Sequence, residues 1–156
     1  MDMPLLDRSP GKETFPLTTL RFAAGATPTL SPDRYQPGVC NIGPAEIARR
    51  RRAGIVGSLM TLGLFIILVA LDAPPLLRLV LFLPAAVAAS GFIQARLKFC
   101  AGFAARGIFN FGGSGDSVEI VDHEARARDR RRGREISFAS FAIGAAVALL
   151  AVLLPI

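Results

Sequence analysis

Residues 40–71 read CNIGPAEIARRRRAGIVGSLMTLGLFIILVAL, and this stretch decides the fold class. Pro44 suits the first position of a helix, where its missing N–H would be unpaired anyway. Glu46 follows in the first turn, where the helix dipole favours a carboxylate. Four arginines, Arg49, Arg50, Arg51 and Arg52, come next without a breaker, and Ala53 to Leu71 is then free of charge. Nineteen residues at 1.5 Å each span roughly 28 Å, close to the hydrocarbon thickness of a bilayer. Asp72-Ala-Pro-Pro75 ends the helix, because proline lacks an N–H and disfavours a helical residue before it. The pattern predicts an entry segment plus transmembrane helix over 44–72.

Working outward, two more charge-free runs appear. Leu79 to Ala95 extends to a span over 76–95 if Arg78 lifts its guanidinium to the headgroups. Pro84 inside it is expected to kink it. The link after Leu71 is short enough only for a tight helical hairpin. Residues 136–156 form the third run, 21 residues without a charge. The expected fold is therefore an all-α membrane protein with three transmembrane helices, a hairpin plus a C-terminal span. Composition agrees: 52% of the 156 residues are hydrophobic, and mean hydropathy is +0.47.

The remaining segments are expected to be irregular. Residues 1–43 carry six prolines before Cys40 and no lasting periodicity, which reads as a flexible cytoplasmic tail. The N-terminus lacks the apolar core of a signal peptide. Residues 96–135 read as a cytoplasmic loop rich in phenylalanine and arginine, lying partly at the membrane interface. Within it, Gly112-Gly-Ser-Gly115 breaks the chain, and Ser117 to Val121 alternates like a strand with no evident partner. Asp122–Glu135, DHEARARDRRRGRE, has i,i+4 charge pairs that favour a helix, with Gly133 weakening it.

The net charge of +6 is concentrated in two blocks flanking the apolar runs, each contributing +3: residues 1–52 and residues 94–135. Three spans put both blocks on one side. The positive-inside rule then places the N-terminus and the 96–135 loop in the cytoplasm and the C-terminus outside. Arg49–Arg52, with Arg130, Arg131 and Arg132, are the expected topology determinants and contacts for anionic lipid headgroups. Nucleic acid is not expected, because no aromatic residue interleaves the second block for base stacking. A composition rich in alanine, arginine and glycine suits a GC-rich bacterium, hence the inner (cytoplasmic) membrane.

No catalytic set is legible. His123 is the one histidine and sits in an exposed charged stretch. No acid or base lies at mid-depth in a span, as proton relays and pumps usually require. No cofactor is expected. Cys40 and Cys100 are the remaining candidates. They flank the predicted hairpin at its cytoplasmic end, so they are expected to be neighbours. Three readings stand: unrelated reduced thiols, a redox-active or structural pair, or two ligands of a shared metal site. Small residues at four-residue spacing form the other signal: Ser140, Gly144 and Ala148 in the third span, Ala53 and Gly57 in the first, Ala86 and Ser90 in the second. Such stripes let helices approach closely, either within the chain or against a larger complex. The expected role is a non-catalytic accessory or assembly subunit of a membrane complex. The alternatives are a membrane thiol protein and, less favoured, a homo-oligomeric transporter or channel.

Overall fold

The computed structural model describes residues 34–113 and 116–155. In chain order they form α1 (Pro44–Ala70), a 3-10 helix (Pro75–Leu81), α2 (Phe82–Leu97), α3 (Ala101–Arg106), β1 (Ile108–Phe109), β2 (Val118–Glu119) and α4 (His123–Leu153). Three helical segments, Pro44–Ala70, Pro75–Leu97 and His123–Leu153, are long and apolar enough to cross a membrane.

The helix α2 is central, with α1 on one side and α4 on the other. Its buried positions are nearly all small: Ala85, Ala86, Ala88, Ala89, Gly91 and Ala95. Glycines set the closeness of both crossings. A Cβ on Gly91 would lie 2.4 Å from the Gly54 nitrogen, and one on Gly57 would lie 2.7 Å from the Ala88 nitrogen. On the other side, a Cβ on Gly144 would lie 2.8 Å from the Ala86 Cβ and 2.9 Å from the Phe82 carbonyl. Backbone-to-backbone contact of this kind gains dispersion energy that larger side chains would forbid. The flanking helices make at most a marginal contact with each other. The three long apolar helices thus form one layer rather than a closed bundle, and only 11% of the apolar window of α1 is buried within the chain.

The helical segment Pro75–Leu97 is not uniform. Its first seven residues, Pro75–Leu81, are 3-10, and the α-helix starts at Phe82. Pro84 cannot donate to the carbonyl four residues back, and its ring crowds that carbonyl. It is tolerated because it falls in the first turn of α2. Arg78 differs from expectation. It is 2% exposed and donates through Nη1 to the carbonyls of Ala151 and Leu154, each at 2.9 Å. The last carbonyls of a helix have no intrahelical partner, and the dipole there is negative, so a guanidinium is better placed on them than in the headgroups.

At the opposite end lies a folded cap where a tail and a loop were expected. Of the tail read over 1–43, residues 1–33 lie outside the described residues, and 34–43 are packed. Gln36 bridges to Cys40, and Ile42 pairs with Asn110. Ile42 and Asn41 are almost fully buried. Residues 96–135 are likewise not a loop. The alternating stretch at 117–121 finds its partner: β2 runs antiparallel to β1, with Phe109 opposite Val118. Phe99, Ala104 and Ile136 form one small core, and Phe109, Ile120 and Ala125 form another. Phe99, Phe109 and Phe111 therefore turn inward rather than lying along an interface. The charge-free run from Ile136 is the second half of one 31-residue helix from His123 to Leu153. Gly133 does not break it. Its missing side chain lets α3 approach, with Ala104 Cβ 3.2 Å from where a Cβ would sit.

Candidate functional site

The cap closes over the start of α1, the end of α2 and the start of α4, so both arginine blocks come to one end of the layer. Asn41 is the hub. Its side chain donates to the Cys100 carbonyl at 3.1 Å and accepts from the Cys100 N–H at 2.6 Å. Its backbone N–H reaches the Lys98 carbonyl, and its carbonyl accepts from Asn110. A primary amide can make this two-way pairing with a peptide group, which explains why it is buried without penalty.

This pairing brings the segments carrying Cys40 and Cys100 together, but the two thiols have different partners. Cys40 directs its sulfur to the Arg34 carbonyl at 3.1 Å. Cys100 is 1% exposed, and its sulfur accepts from Arg50 Nη2 at 3.0 Å. Both are free cysteines. Among the described residues no group of three or more His, Cys, Asp or Glu side chains is placed to hold a metal ion.

The four consecutive arginines do not act as one patch, because successive helix residues point about 100° apart. Arg49 pairs with Glu46 at 3.0 Å, and Arg50 lies 3.6 Å from the other Glu46 oxygen. Glu46 is 2% exposed, so it is a buried anion under two cations. Arg51 and Arg52 are exposed and form no ion pair among the described residues. In α4, Arg130 is exposed, while Arg131 and Arg132 both engage Glu135, at 3.4 and 3.1 Å. His123 is exposed at the start of α4, just after Asp122, whose side chain caps the helix by accepting from the Glu124 N–H.

Asp129, in the arginine-rich first half of α4, is fully buried. It accepts the Tyr35 hydroxyl at 3.0 Å and the Gly38 N–H at 2.6 Å. Tyr35 also stacks on Phe109, with ring centroids 4.7 Å apart. Burial pushes the Asp129 carboxyl above its ordinary range, opposed by these two hydrogen bonds and by Arg128. Burial, and then the Asp129 charge, pushes the Tyr35 phenol up as well. A sequence signal existed. Ala125, Asp129, Gly133, Ile136, Ser140, Gly144, Ala148 and Ala151 recur every three or four residues and are all buried. Asp129 sits on the same stripe as the small residues.

The stripe positions Gly57, Ser140, Gly144 and Ala148 face inward, and Gly57 and Gly144 sit at the crossings on α2. The Ser140 hydroxyl donates to its own helix at Ile136, so its proton is already engaged within the chain. What the layer presents outward is larger: Ile55, Leu59, Leu62 and Ile66 on α1, and Phe138, Phe141 and Leu149 on α4, are all exposed. Comparison with protein-family models, curated proteins and solved structures gives no match.

Proposed function

We propose that this chain is a small three-span integral membrane protein that serves as a non-catalytic accessory or assembly subunit of a larger membrane complex. The arginine-rich cap faces the cytoplasm of a bacterial cell, and the far end of α4 faces outward. The observation that carries this reading is the single-layer arrangement. With α1 and α4 apart, the layer has two open apolar faces, and α1 is covered by the rest of the chain along only a narrow strip. Lipid can wet such faces, but a larger partner buries them with close packing. The small-residue stripes lend no support to docking, because they are occupied within the chain. The sidedness rests on the clustering of both arginine blocks at one end, which satisfies the positive-inside rule without strain.

Purification of the full chain from membranes in mild detergent tests the role. A stoichiometric membrane partner is the expected result. Recovery of the chain alone would overturn it.

The one contact that favours a thiol protein instead is that of Arg50 Nη2 with the Cys100 sulfur, at 3.0 Å. Near-complete burial of Cys100, and the separate engagement of Cys40, make the accessory role the better reading.

A further inference from the structure

Three cations at the capped end converge on one pocket. Arg51 from α1, Arg96 from the last turn of α2 and Lys98 just beyond it line a cavity of about 430 Å³ floored by Ile47, Phe92 and Ala95. All three cations are exposed, and none forms an ion pair among the described residues. On the same helix Arg49 and Arg50 share Glu46, while Arg52, also without an ion pair among the described residues, lines no part of this pocket. Lys98 is held beside Arg96 by a left-handed backbone turn at φ 52° that ends α2.

Phe92 also forms part of a second cavity, an apolar trough of about 510 Å³ running over α2 between α1 and α4. Ile47, Arg51, Ser58, Leu62 and Phe65 recur at three-, four- and seven-residue spacing, so pocket and trough lie along one face of α1. The trough's two hydroxyls, on Ser58 and Thr61, donate back to Gly54 and Gly57 of their own helix at 3.0 and 2.8 Å. From Phe92 to Leu81 the floor runs about 17 Å at the helical rise, against about 15 Å for one leaflet of hydrocarbon.

A ligand matching this surface has a compact anion at one end and an apolar chain as long as one leaflet at the other. We propose that pocket and trough form a single site for an anionic glycerophospholipid, with its phosphate on Arg51, Arg96 and Lys98 and one acyl chain laid over α2. A zwitterionic headgroup brings its own cation against three unneutralised ones and is disfavoured. A free phosphate leaves the trough uncovered. The proposal rests on the membrane reading above.

The test uses the full chain in mild detergent, with retained lipid counted by native mass spectrometry. Phosphatidylglycerol and phosphatidylcholine of identical acyl chains are the probes. One phosphatidylglycerol should be retained, with a preference of at least about tenfold, since each basic side chain at an anionic surface contributes severalfold. The triple variant Arg51→Gln, Arg96→Gln, Lys98→Gln should lose the preference, and Arg130→Gln with Arg131→Gln should keep it. Ser58→Phe, which fills the trough, should weaken retention with all three cations present. Equal retention of the two lipids, a preference that survives the triple variant, or displacement by excess glycerol phosphate would each overturn the site. Alkaline carbonate extraction separates the two levels. A chain that stays in the membrane pellet but shows no preference disproves the site alone, and a chain released to the supernatant disproves the membrane reading with it.

Discussion

The hydroxyl of Tyr35 donates to Asp129 at 3.0 Å across 94 positions of sequence, and this bond fastens the segment before α1 to the charged start of α4. Gly38 adds its N–H to the other carboxylate oxygen. One buried side chain thus holds two points of the cap.

Asp129→Ala leaves the Tyr35 hydroxyl and the Gly38 N–H without their acceptor. The expected cost is about 1–3 kcal/mol, read as a lower midpoint of thermal unfolding in detergent. Asp129→Asn keeps an acceptor for Gly38 and carries no charge, so it should cost less than the alanine. The pH dependence has a definite sign. Burial raises the folded-state carboxyl above its ordinary 3.8, so the folded chain keeps a proton that the unfolded chain releases. Stability from this group is full below about 3.8 and falls as pH rises through the folded-state value. Asp129→Asn should flatten that slope.

The chain has one tyrosine and no tryptophan, so phenolate absorbance reports Tyr35 alone. Its titration midpoint should lie above the ordinary 10.0 in the folded protein and return to it in denaturant. The folded phenol keeps its proton where the unfolded one loses it, so this contribution holds up to about pH 10 and is lost at higher pH. Asp129→Asn should lower the midpoint by removing the neighbouring charge. A midpoint unchanged between folded and denatured protein would disprove the buried pair.

Gly91→Ala places a methyl 2.4 Å from a backbone nitrogen of α1, and Gly144→Ala places one 2.8 Å from Ala86. Neither neighbour is a flexible side-chain end, so the helices must separate. Each substitution should destabilise by about 1–3 kcal/mol. Gly63→Ala is the control: nothing lies within 4 Å of its Cβ position, and it should be neutral or slightly stabilising. Thermal unfolding of the three variants side by side checks the order.

Cys40 is half-buried and Cys100 is 1% exposed, so a membrane-impermeant maleimide should label Cys40 well before Cys100 in folded protein. With the arginine-rich cap inside the cell, the reagent should label neither in intact cells and Cys40 in inverted vesicles. Labelling of Cys40 from outside would reverse the proposed orientation.

Arg78→Leu removes the donor that serves the Ala151 and Leu154 carbonyls at the far end of α4. Faster hydrogen exchange over the last turn of α4, with the cap unaffected, is the expected readout.

The cap was the least legible part of the sequence. Residues 34–43 have no helical or strand period, yet Asn41 and Ile42 are almost fully buried, because their order comes from pairing with Cys100 and Asn110 rather than from local preference. The strand at Val118 could be suspected from alternation, but its partner at Phe109, nine residues back, lies in a segment with no regular alternation of its own. Asp129 was missed for a different reason. Its place on the buried stripe of α4 was visible, but surrounding arginines made the segment look uniformly solvated.

Local chemistry written into the chain determined the three apolar helices, their proline-marked turn and the gathering of cations beside them, since span length, breakers and charge blocks each act within a few residues. Tertiary packing settled the rest. It sends Arg78 to a helix end rather than outward, assigns Arg50 to Cys100 and Arg51 to an open pocket, and uses the small-residue stripes within the chain. Each of these outcomes depends on which helix lies alongside α2 and at what distance, and that is set by contacts between residues far apart in sequence.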